Sequence, residues 1–169
     1  LRGATIGVGS NTVPEYVMDR LLEGLGIGEG EFTVEEVKKL PVRYQMMESD
    51  QVQAAALPGS LLALGEATGC VTLIDDTTGD NISQSVMLVR SAFADAPGGA
   101  ALVDAVRAAW DAGAEAINAD PEAYRSLLVE KANLSDAVAD TYPIATYPVD
   151  VAPTAEMIQP VLDWMAEKD

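Results

Sequence analysis

The sequence contains no histidine, and that absence removes a large share of enzyme chemistry. The usual general base near neutral pH is gone, as are Ser-His and Cys-His nucleophile pairs and the commonest zinc ligand. Cysteine is reduced to Cys70 alone, so no intrachain disulfide and no cysteine metal cluster can form. Cys70 stands beside Val71 in an apolar run and reads as a buried, inert thiol. Cations are also scarce. Ten Lys and Arg face 27 Asp and Glu, a formal charge of −17, and such a surface repels phosphate backbones and anionic lipid. Nucleic acid is therefore excluded as an expected partner. No apolar run is long enough to span a bilayer. The chain opens on Leu1-Arg2-Gly3 and enters a strand almost at once, which reads as an excised piece, so a missing leader carries no weight here.

Nearly half of the 169 residues are apolar, enough for a substantial core in one domain or two small lobes. The most informative stretch is Ile6-Gly7-Val8-Gly9-Ser10-Asn11-Thr12. Ala4–Val8 is a short apolar run with β-branched residues and reads as a buried strand. Val13–Leu25 carries Val13, Val17, Leu21 and Leu22 at helical spacing, with Pro14 in the first turn where it costs no hydrogen bond. A polar loop between strand and helix lies at the carboxyl end of an open α/β sheet, where ligands bind. Its N–H groups and the helix start form a natural anion site, and Ser10, Asn11 and Thr12 add side-chain donors. The competing reading is plain helix capping, which accounts for one of the three. Gly7-x-Gly9 with Thr12 following is not a dinucleotide fingerprint, and no Gly-Lys-Ser/Thr follows to make a P-loop.

Farther along, the pattern predicts a strand within Phe32–Leu40, closed by Pro41, and a short helix at Arg43–Ser49. Gln51–Leu57 reads as a short buried strand stopped by Pro58-Gly59-Ser60, and Leu61–Ala67 as a helix with Gly69 as its cap. Val71–Ile74 and Ser85–Arg90 are expected to be strands. The polar run Asp75–Asn81 between them has its glycine misplaced for an EF-hand and lacks the terminal acid, so it is a solvated connection. From Pro97 the chain is mostly helical. Leu102, Val106, Ala109, Trp110, Gly113 and Ile117 make one apolar face, expected to point inward, while Asp104, Arg107 and Asp111 lie on another. Asp120-Pro121 stops that helix and starts the next. Tyr142-Pro143 and Tyr147-Pro148 force an extended passage. The last helix runs from Thr154 or later to about Lys168, with Pro160 either kinking it or marking its start.

Taken in order, several of these segments resemble the substrate-binding proteins of ABC importers, in the group that takes nitrate, sulfonates, taurine and thiamine precursors. The residues that carry the resemblance are Leu1–Thr12, Gln51–Pro58, Ser83–Arg90, Ile117–Glu122 and Pro153–Trp164. It implies an α/β, type II periplasmic-binding-protein-like fold with one complete lobe plus the C-terminal helical part of the other. Residues 1–80 would be the second lobe, and 81–169 the crossover and the C-terminal part of the first lobe, with an N-terminal segment missing. It also implies a small anionic or zwitterionic ligand held between lobes by Ser10, Asn11, Thr12, Pro58, Gly59, Ser60, Gln84 and Ser85. The implied partner is a membrane permease and the implied location extracytoplasmic, in the periplasm or on a lipid anchor. No cofactor, metal or catalytic residue is expected, and the half-clamp is expected to self-associate. Gly59 and Ser60 depart from the larger acidic or aromatic residues many relatives carry there, which leaves the ligand chemistry open. The alternative is the ligand-sensing domain of a transcription regulator with the same fold. A third reading, an enzyme working through paired carboxylates, finds no spacing that singles out a pair.

Overall fold

The structure is a computed structural model that describes residues 1–77, 82–83 and 85–168. The chain forms two compact units, one of residues 1–84 with 155–169 and one of residues 85–154. The expected second half, 81–169, is thus divided, with its last helix returned to the first unit.

The first unit is built on strand–helix alternation. Strands β1 (Thr5–Val8), β2 (Thr33–Glu36) and β3 (Ala54–Ala55) alternate with helices α1 (Val13–Gly24), α2 (Leu40–Glu48) and α3 (Gly59–Ala67). The strands form one parallel sheet in the order β2–β1–β3. β1 is central, and Ile6, Gly7 and Val8 are all buried, as a parallel strand covered on both faces requires. β2 lies at an edge and is exposed along its length, with Glu35 and Glu36 charging the open side. Ile6, Val8, Met18 and Leu22 make the central cluster, joined by Leu1, Ile27, Phe32, Ala54, Ala56 and Ile74. Pro41 opens α2 from within its first turn, so this helix starts three residues before the expected Arg43. Gly69 follows the end of α3 at φ +100°, a conformation other residues adopt only with strain.

The closing helix α7 (Ala155–Lys168) packs on α1 within this unit. The Trp164 ring stands edge-on to Tyr16 at 5.4 Å, and its Nε1 donates to Asp19 at 2.8 Å. Lys168 Nζ lies 2.9 Å from Asp19 and 3.4 Å from Glu15, and Arg20 reaches both Glu23 and Glu167. Pro160 sits inside the helix, so it does not mark the start.

The second unit is helical, with α4 (Ser91–Ala94), α5 (Gly99–Ala119), a 3₁₀ turn (Pro121–Tyr124) and α6 (Arg125–Lys131). Two corrections concern strands. Val71–Ile74 and Ser85–Arg90 form no strand, and Val71, Leu73 and Val86–Val89 are exposed. Their β-branched composition finds no neighbouring strand to pair with among the described residues, and a lone strand has no ladder. A third correction concerns α5. Leu102, Val106 and Trp110 are 56, 50 and 58 % exposed, whereas Ala114 is buried and Val103 and Asn118 half-buried. Hydrogen bonds decide which side turns in. The Asn118 amide both donates to the Tyr147 carbonyl and accepts its N–H, at 2.7 and 2.9 Å, and Asp111 accepts the Asp150 N–H at 3.0 Å. The extended passage through Tyr147-Pro148 therefore bonds to Asn118 and Asp111 on a mixed side of α5, where Ala114 is buried and Ile117 half-buried, while Leu102, Val106 and Trp110 stay exposed, as do Asp104 and Arg107. Cys70, expected to be buried, is half-buried beside Gly65.

Candidate functional site

All three strands are parallel, so their carboxyl ends share one edge of the sheet. The loops that leave them, 9–12, 37–39 and 56–58, lead at once into α1, α2 and α3. This edge gathers three helix N-termini, each of which carries a partial positive charge from its peptide dipoles. Ser10, Asn11 and Thr12 stand here after β1, and Pro58, Gly59 and Ser60 after β3. Ser10 and Asn11 are exposed, and Thr12, Pro58 and Ser60 half-buried. Ser85 lies exposed in the second unit, and Gln84 falls outside the described residues.

The protein's own carboxylates already occupy the loop after β1. Glu36, at the end of β2, accepts the Ser10 N–H at 2.9 Å and also the Ser10 hydroxyl. Glu15, in the first turn of α1 and only 7 % exposed, accepts the Asn11 N–H at 2.6 Å. The Ser10 hydroxyl, with the Ser10 N–H and Lys38 adding to it, holds the Glu36 carboxyl below the usual carboxylate range. Thr12 occupies the cap position of α1, but its hydroxyl turns back to the Gly9 carbonyl at 2.6 Å and caps no N–H. Asn11 holds the loop's sharp turn at φ +57°, in the left-handed region that asparagine tolerates better than most residues. α3 begins at Gly59 with no side-chain cap and no acid in its first turn.

Beneath the loops lies Arg43, 1 % exposed. Its Nε and Nη2 donate to the Val37 carbonyl at 3.0 and 2.8 Å, and its Nη1 to the Ala56 carbonyl at 2.6 Å. One guanidinium thus ties the exits of the two outer strands across the central one. Burial lowers its pKa from the ordinary arginine value, and the nearby Glu36 charge opposes that shift. Gly9 makes the tie possible, because a Cβ there would come within 2.8 Å of Arg43 Nη2 and 3.2 Å of the Lys38 Cα.

Glu15, Glu36 and Arg43 were not among the residues singled out from the sequence. Glu15 had a signal in the Thr12-x-x-Glu15 spacing of a capping box, although its carboxylate passes the cap residue and takes the N–H before it. Arg43 had a weaker one, as the only Lys or Arg between Lys39 and Arg90. Glu36 had none, since its role depends on strand register.

Two grooves lie away from this edge. One of about 890 Å³ runs along the C-terminal ends of α2 and α3, past Met46, Met47 and Cys70, and one of about 660 Å³ lies between α1 and α7. Among the described residues no group of three or more Cys, Asp or Glu is placed to hold a metal ion, and no helix is long and apolar enough to cross a membrane. No protein-family model, curated protein or solved structure matches the chain.

Proposed function

We propose that this chain is the solute-binding component of an ABC importer, with a type II periplasmic-binding-protein-like fold. In this reading it works outside the cytoplasm, captures a small metabolite in a cleft between lobes and delivers it to a membrane permease. The observation that carries the reading is the sheet edge itself. Three strand exits and three helix starts meet there, and they bring Ser10–Thr12 and Pro58–Ser60 to one side of the sheet.

The charges at this edge favour a zwitterion over a simple anion. An anion approaching Ser10 meets the Glu36 carboxylate already bonded there. A ligand ammonium can sit against Glu36, whose other oxygen lies 3.8 Å from Lys38 Nζ. The ligand's acid group then falls to the uncapped start of α3. The same geometry argues for binding rather than catalysis. A carboxylate held below its ordinary range is a poor base for the Ser10 hydroxyl.

Calorimetry against small amino acids, amino-sulfonates and inorganic phosphate tests this, with amide shift mapping to locate any site. The expected result is saturable binding of a zwitterion with shifts at residues 9–12 and 56–60, weakened by Ser10→Ala and Glu36→Gln. No saturable binding across the panel, shifts confined to either groove, or chemical conversion of the ligand would each overturn the reading.

A further inference from the structure

Glu15 makes two connections at once. One carboxylate oxygen accepts the Asn11 N–H at 2.6 Å, and the other lies 3.4 Å from Lys168 Nζ on the last helical turn of the described chain. Lys168 is held from its other side by Asp19 at 2.9 Å and lies 5.6 Å over the Trp164 ring. Burial works against the Lys168 charge, but the bonds to Asp19 and Glu15 outweigh it and raise its pKa. A loop residue and a residue 157 positions later, Asn11 and Lys168, are therefore joined through a single buried carboxylate.

We propose that Lys168 and Glu15 are positioning residues for the Ser10–Thr12 loop, so that docking of α7 on α1 sets the loop's shape. The role assigned to the loop rests on the binding function proposed above; the link itself does not. Glu15 is buried next to Asp19, and without the Lys168 ammonium two carboxylates would share one low-dielectric site. That arrangement drives the Glu15 carboxylate outward, which weakens its hold on the Asn11 N–H. Asn11 sits at φ +57°, so the turn it makes depends on the contacts that retain it. Trp164 and Tyr16 anchor α7 independently through ring packing and the Trp164–Asp19 bond. Loss of the lysine alone therefore leaves the helix docked while it loosens the loop.

The test needs no ligand. In a Trp110→Phe background of the 169-residue chain, Trp164 fluorescence reports whether α7 is docked, and amide hydrogen exchange at Asn11 reports the loop. Lys168→Met is expected to speed exchange at Asn11 several-fold with Trp164 emission unchanged, and Lys168→Arg to restore most of the protection. Glu15→Ala removes the acceptor itself and is expected to speed exchange about tenfold. If Lys168→Met shifts the emission to the red, the helix has left, and Glu15→Ala alone decides. Unchanged Asn11 exchange in Glu15→Ala, or in Lys168→Met with the helix docked, overturns the proposal. Neither outcome bears on whether the edge binds a ligand, which the calorimetry decides separately.

Discussion

In the first unit, apolar residues of β1 and α1 close the core, and Ile6, Val8, Met18 and Leu22 meet in one cluster, although Val13 and Val34 stay exposed. In the second unit the longest helix, α5, carries an equally regular apolar stripe, yet Leu102, Val106 and Trp110 on it are at least half exposed. The difference lies in what each pattern meets. β1 has β2 and β3 on either side, so alternating strands and helices close around it. α5 meets a chain segment that offers backbone groups, at Tyr147 and Asp150, and these choose Asn118 and Asp111. A hydrogen-bonding group cut off from water without a partner costs about 1–3 kcal/mol, so Asn118 and Asp111 keep these partners, while Asp104 and Arg107 stay exposed beside them.

The largest effect that would break this comparison comes from trimming each stripe. Leu22→Ala, at a site 1 % exposed, is expected to cost about 2–5 kcal/mol in urea unfolding. Leu102→Ala should change stability by no more than about 0.5 kcal/mol. Equal losses would mean that the α5 stripe is covered in solution.

Next come the polar ties, one in each unit. Arg43→Met strands the Val37 and Ala56 carbonyls, each at a cost of about 1–3 kcal/mol, and should destabilise the first unit nearly as much as a core truncation. Asn118→Ala loses two ordinary bonds to Tyr147, a cost of about 1–3 kcal/mol in all. Its amide exchange signature should stay within residues 144–150. Loss spread over the whole second unit would show that this tie, rather than apolar packing, holds that unit together.

The smallest effect is a titration. The Glu36 carboxyl is held below its ordinary range in the folded protein, so its bond to Ser10 is intact above the unfolded value of about 4.3. The bond is lost as pH falls through the lower folded value. The Ser10 amide shift should therefore titrate with a midpoint below about 4.3. A midpoint at or above that value would remove Glu36 from the loop and reopen the edge to simple anions.

The first half of the architecture was legible because each element carries its own local signal. The apolar run of β1, Pro14 in a first turn, and Gly69 after α3 all act through contacts within a few residues, whereas Pro41, read as a strand stop, in fact opens α2. The place of Ser10–Thr12 between strand and helix was readable for the same reason. Pairing was not readable. Whether Val71–Ile74 or Val86–Val89 becomes a strand depends on a partner, and composition cannot supply one. The residues that fill the sheet edge were hidden for a related cause. Glu36 reaches Ser10 only because β2 pairs with β1 in the register Val8↔Glu36, and Arg43 reaches two carbonyls only once all three strands are aligned.

The place of β1 in the sheet has a consequence for the ribosome. Of the three strands, the one that ends up in the middle is made before the two that flank it, and its partner Ala55 is synthesised 48 positions after Gly7. At about 5–20 residues per second, β1 waits roughly 2–10 s for its second neighbour. β2 follows β1 by 28 positions and can cover one backbone edge, but the other edge stays open until β3 emerges, and the Arg43 tie cannot form until Ala56 has also emerged. Shielding Thr5–Val8 until Ala56 has emerged would therefore protect the open edge of this strand during synthesis.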